Sequence, residues 1–239
     1  ARRFPGSDGE SPLRSIATIP SYDQLGLAVR ADLGLETLDQ LGEAKPKLVL
    51  SLRGERPNHT LHMVIEDVLA AAGLALSDIE AWGGEVRYDE GLPHQGERAG
   101  SIVDGTVDAV FDEGIYNWVG LAHGAGLRFL ALSDDTLAIL LARGYRRANL
   151  GPERFSVLSA EVATVDFSGF LIYTHEEAPA ATVEAFCHSL AARQDRIPWQ
   201  GGPTLPLSRM CADTVDAPLS LPLHPAAERV WRDRGYLGE

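Results

Sequence analysis

Asp112, Glu113, Tyr116, Asn117 and Trp118 bring two carboxylates, a phenol, an amide and an indole together within seven residues of this 239-residue chain. They follow Val107 to Phe111 (VDAVF), apolar except for Asp108, as expected of a strand covered on both faces. Ligands of open α/β sheets bind outside the carboxyl ends of the strands, so this loop is a candidate contact surface with two aromatic walls. It reads equally as a solvated turn that caps the following helix. Asp112 and Glu113 suit an amine, and they repel an anion unless a cation or donor intervenes.

A second group lies between Arg53 and Thr60, after the apolar run KLVLSL (Lys47 to Leu52) and before a helix. The first turn of a helix carries unpaired N–H groups and the positive end of the dipole, a natural place for an anion. Arg53 is suited to bidentate pairing with a carboxylate, and Asn58 or Thr60 to capping the helix or donating to a ligand. His59, His62 and Glu66 fall on roughly one helical face and form an alternative set for a divalent metal. The spacing is weaker than that of His-Glu-x-x-His, and a capping or solvated role accounts for it as well. Glu85 and Tyr88 follow Gly83-Gly84, where the backbone either approaches something closely or only turns. Phe167 and Ser168, next to Asp166, interrupt an extended stretch at a point suited to a hinge or to a simple bulge. No Gly-x-Ser-x-Gly elbow is present and neither Cys187 nor Cys211 has a catalytic setting, so no catalytic residue is assigned.

The elements that must position these groups alternate. After an aperiodic tail, 1–13, strands are expected near Ile16 to Ile19 and at Gly26 to Arg30, and a short helix from Leu35 to Gly42. The Lys47 to Leu52 strand is followed by a helix with Leu61, Ile65, Val68, Leu69 and Ala72 on one face. Further strands are expected at Ile79 to Gly83, Val107 to Phe111 and Leu127 to Leu132, with helices around Ala99 to Val103, after Gly114 and from Thr136 to Arg143. This βαβ rhythm argues for a mostly parallel sheet with helices on both faces. Ser156 to Phe167 and Gly169 to Tyr173 are then extended and too close together for a crossover helix. Helices starting near Pro179 and Pro225 finish the chain, with Trp231 and His224 read as core and cap.

The net charge of −13, from 34 acidic and 21 basic residues with only two lysines, argues against a nucleic-acid partner. Two cysteines make no disulfide framework, although one bridge between them stays open. No segment approaches the ~20 apolar residues of a membrane-spanning helix. Ala1 is not an initiator methionine, and the expectation is of a processed or truncated chain.

In order, GLAVRADLGLETLDQLG, KLVLSLRG, HTLHMVIEDVLAAAGLALSDIE, GTVDAVF and LPLHPAAERVWRDRGYL resemble the type II periplasmic solute-binding proteins, and among them the TAXI receptors of TRAP transporters. The closing Pro222 to Gly235 segment is the most specific match. Pro57-Asn58-His59-Thr60 departs from the family's Gly-Ser/Gly-Thr helix start, and Ala226 replaces a glycine; Thr60 alone carries over cleanly. The resemblance implies two α/β lobes of mostly parallel sheet joined by crossing strands, with lobe one incomplete at its N-terminus. Lobe one would comprise 14–30 and 165–239, and lobe two 31–164.

It further implies a receptor that closes over a small organic anion or an amino-acid-like zwitterion, without a cofactor, and delivers it to membrane transporter subunits. Its place would be the periplasm, or the cell exterior as a lipoprotein. The other reading is an enzyme on the same fold in the cytoplasm, such as a metal-assisted decarboxylase of a hydroxylated aromatic acid. A third is a sensor domain that binds without transport.

Overall fold

The computed structural model describes residues 11–54, 60–197, 206–214 and 217–237. The chain divides into two compact units, 23–167 and the remainder, 1–22 with 168–239. The boundaries therefore fall at 22/23 and 167/168, and the strand at Gly26 to Arg30 belongs to the central unit.

The central unit holds a mixed five-stranded sheet in the order β4-β3-β5-β2-β6, made of β2 (Gly26–Arg30), β3 (Val49–Arg53), β4 (Glu85–Asp89), β5 (Ala109–Asp112) and β6 (Leu127–Leu130). β3 runs parallel to β4 and β5, whereas β2 is antiparallel to both β5 and β6. Helices α1 (Leu38–Ala44), α2 (Thr60–Ala71), α3 (Leu76–Ala81) and α6 (Asp134–Ala142) bury Leu38, Leu41, Ile65, Val68, Ile79 and Leu137 in one core with Leu50, Leu52 and Phe111 of the sheet. The strand period of two sends Ser51, Arg53, Arg87, Asp89, Val110 and Asp112 to the other face, since Ser51 is in register with both Arg87 and Val110. Arg98 of α4 (Gly96–Val103) reaches that face, and Trp118 of α5 (Ile115–Gly124) packs on Phe129 at 5.0 Å between ring centroids. The result is an α/β fold with helices on both faces of the sheet.

Two extended stretches differ from the sequence reading. Ile79 to Gly83 is not a strand: α3 occupies it, because the Asp78 carboxylate accepts from Ala75 N–H (2.8 Å) and starts a helical turn. Gly83, with φ +84°, then turns the chain into β4. Of Ser156 to Phe167, only Val162–Val165 (β8) is a strand, and it pairs with β7 (Arg147–Leu150), whose alternating sequence RANL is only four residues long.

In the other unit, β1 (Leu13–Ile19) pairs antiparallel with β9 (Phe170–His175), with a bulge between Ser15 and Ala17. Helices α7 (Ala180–Ala192) and α8 (Pro225–Asp233) bury Val183, Cys187, Val230 and Trp231 against Ile16, Met210 and Cys211. Trp231 donates to Ile16 O (2.7 Å), and His224 caps α8 by accepting from Ala226 N–H, as read from the sequence. No helix among the described residues is long and apolar enough to cross a membrane.

Candidate functional site

The strand order places a topological switch between β3 and β5: the chain leaves β3 for β4 on one side and leaves β5 for β6 on the other. Arg53 ends β3 and Asp112 ends β5, so both lie at the carboxyl edge beside that switch. Arg53 Nη2 lies 2.5 Å from Asp112 Oδ1 and 2.5 Å from Glu113 Oε1. Arg98, wholly buried, donates from Nη1 to Asp112 Oδ2 (2.6 Å) and to Gly91 O (3.0 Å), and from Nε to Ser51 Oγ (2.9 Å). Ser51 in turn donates to Asp89 Oδ2 (2.6 Å), and Arg87 pairs with Asp89 at 3.1 Å.

Asp112 is therefore not a group offered to a solute. Its carboxylate is fully buried, and its oxygens accept from two arginines and from Glu113 N–H (2.8 Å). Burial opposes the charge on Arg53, but Asp112 and Glu113 outweigh it and raise the pKa above the ordinary arginine value. At Arg98 burial wins over the pull of Asp112, and the pKa is lowered. The two arginines also resolve the repulsion expected of an acidic loop, because they compensate Asp112 and Glu113 within the protein.

Asp23 completes the cluster. β2 is antiparallel, so the residues before it lie at the edge where the parallel strands end, with Gly26 in register with Asp112. Asp23 Oδ1 accepts from Gly114 N–H (2.7 Å). Its pKa is pushed up to about 7, first by burial and then by the hydrogen bond and charge of Glu113, against the N–H groups of Gly114 and Gln24. A hydrogen bond between two carboxyl groups needs a proton between them, which is the sense of the upward shift at Asp23.

The other expected residues separate. Tyr88 is 44% and Tyr116 52% exposed, both available as walls, and Tyr88 meets His62 edge-on at 5.4 Å. Trp118 is no wall: it is wholly buried, with Nε1 donating to Glu113 O (2.9 Å), because Ile115, Trp118, Val119 and Ala122 form the buried face of α5. Glu85 is displaced as well. It opens β4, opposite Val49, so the length of the strand separates it from Asp89 at the other end.

Thr60 begins α2 and is exposed, while Asn58 and His59 lie outside the described residues. Of the alternative metal set, His62 Nε2 is bonded to Arg53 O (2.9 Å) and Glu66 is exposed; no group of three or more His, Cys, Asp or Glu suited to a metal occurs among the described residues. Phe167 and Ser168 end one unit and begin the other; Phe167 packs on the central core and Ser168 is buried. Asp166 is held by Arg146 at 2.6 Å.

Arg98 and Asp23 were absent from the sequence reading. The available signal for Arg98 was its spacing of four from Ile102, the other buried residue of its helix.

No family model and no curated protein matches the sequence. Solved structures similar to the chain include a protein bound to L-arginine (12% identity, TM-score 0.37, 78% of this chain and 60% of that one). A periplasmic transporter matches at 12% identity and TM-score 0.37, over 94% of this chain and 64% of its own. An ancestral cyclohexadienyl dehydratase matches at 9% identity and TM-score 0.31, over 77% and 56%. The chain thus spans between 56% and 64% of the length of these structures.

Proposed function

We propose that this chain binds a small organic solute bearing a carboxylate, an anion or a zwitterion, as the receptor of a membrane transporter, in the manner of the solute-binding proteins it resembles. The observation that carries this reading is the Arg53 guanidinium. It stands at the carboxyl edge beside the switch, 18% exposed, anchored by Asp112 and Glu113, while its Nε has no acceptor among the described residues. Two further features favour a carboxylate there. Helices α2 and α5 start just beyond β3 and β5, so their positive dipole ends face this edge. The charges of Arg53 and Arg98 balance those of Asp112 and Glu113. Such a receptor works in the periplasm or at the outer surface of a cell.

Native mass spectrometry of the purified chain tests this directly. An organic acid or amino acid retained under gentle conditions, and lost from Arg53→Ala, is the expected result. Absence of any retained molecule, together with no binding to a panel of carboxylates and amino acids, overturns the reading.

A further inference from the structure

We propose a second binding site, for an amphipathic monocarboxylate, on the outer face of α7. An open depression of about 350 Å³ is lined there by Phe186, Ser189, Leu190, Arg193, Arg196 and Ile197. That volume lies at the lower end of small-molecule sites, which run from about 300 to 1,000 Å³.

Phe186, Ser189, Leu190 and Arg193 stand at i, i+3, i+4 and i+7, so they form one stripe along the helix. Val183 and Cys187 face the core and Leu190 packs partly against it, while Phe186, 42% exposed, Ser189 and Arg193 are left outward. Ile197, just beyond the 3-10 turn Gln194–Arg196, adds apolar surface beside Leu190. The site is therefore polarised along its length. Phenylalanine, leucine and isoleucine side chains make the apolar part, and two guanidinium groups stand at the end of the helix.

The arginines give the site its charge preference. Several arginines of this acidic chain are matched with carboxylates: Arg14 with Glu176, Arg146 with Asp166, Arg229 with Glu184 and Arg232 with Glu228. Arg193 and Arg196 have no ion pair among the described residues, and Asp195 between them pairs with neither. Two unmatched guanidinium groups bordering an apolar concavity complement a carboxylate head with a hydrocarbon tail. The stripe from Phe186 to Arg193 covers about 10 Å of helix axis, which suits a medium-length acyl chain.

The test uses 8-anilinonaphthalene-1-sulfonate as a fluorescent anionic probe and octanoate as competitor, with near-UV circular dichroism to confirm native packing. One equivalent of probe is expected to bind, octanoate to displace it, and uncharged octanamide to compete at least tenfold less well. Arg193→Gln with Arg196→Gln should weaken octanoate at least tenfold, whereas Arg193→Lys with Arg196→Lys should retain most of the affinity. Phe186→Ser should weaken octanoate and octanamide alike. Equal competition by octanamide, undiminished octanoate affinity in the Arg→Gln pair, or no saturable probe binding to the folded chain overturns the proposal.

Discussion

Arg98 and Asp112, one on a helix and the other at the end of a strand, meet at 2.6 Å with neither side chain exposed to solvent. The pair fixes the carboxylate that in turn holds Arg53, so the position of the Arg53 guanidinium depends on a buried contact behind it.

Breaking a buried pair from one side leaves an uncompensated charge, at a cost of about 3–5 kcal/mol. Asp112→Asn and Arg98→Met are each expected to lose that much in urea unfolding, and the double variant less than the sum. Arg53→Met should lose markedly less, because Asp112 keeps Arg98. Equal losses for Arg53→Met and Arg98→Met contradict the hierarchy.

The raised pKa of Asp23 sets a direction for pH dependence. Between the ordinary value of 3.8 and about 7 the folded chain binds a proton at Asp23 that the unfolded chain has released. Stability from this group is therefore highest below about pH 4 and falls as pH rises towards 7. Asp23→Asn, which keeps an acceptor for Gly114 N–H and supplies a donor for Glu113, should be more stable than the parent at about pH 8 and similar to it at about pH 4. Thermal melts across that range check it, and a difference independent of pH contradicts it.

The two adjacent glycines Gly83 and Gly84 have different roles. Gly83 lies at positive φ in open space. A Cβ on Gly84 would press into Leu48 O and stand 2.9 Å from Ile79 O, both backbone atoms that cannot swing away. Gly84→Ala is expected to cost more than 2 kcal/mol, and Gly83→Ala about 1 kcal/mol, in denaturant titrations.

Cys187 and Cys211 are free, buried thiols, pushed up to about 11 and about 12 respectively, chiefly by burial. Thiolate is the reactive form, so the native chain should react slowly with a disulfide reagent at neutral pH. Two equivalents should titrate rapidly once denaturant is added. Rapid native labelling contradicts their placement in the core.

The alternating rhythm of the central unit was legible because β3, β5 and β6 are short apolar runs, each followed by a helix with a buried stripe. The placement of Arg53 and Glu113 at the ends of strands was legible too, since the pattern turns polar there. The role of Asp112 was not, because local sequence says nothing of Arg98 meeting it from a covering helix. Asp23 was hidden for a related reason. It comes close to Glu113 only through the antiparallel insertion of β2, and no periodicity in residues 20–30 reports on strands 80 positions later. Trp118 was misplaced by its neighbours' polarity, although its spacing from Ile115 and Ala122 already marked the inner face of α5.

β2 is the first strand of its sheet in the chain, yet it lies between β5 and β6. During synthesis it must wait, without a strand neighbour, until the chain has been made through Asp112, and it is paired on both edges only once Leu130 has followed. β3 and β4 can pair before that, so they do not depend on β2. The edge that carries Arg53, Glu113 and Asp23 is thus complete only after the earliest-made strand has closed the longest loops of the five-stranded sheet. Its assembly marks the end of folding rather than the beginning.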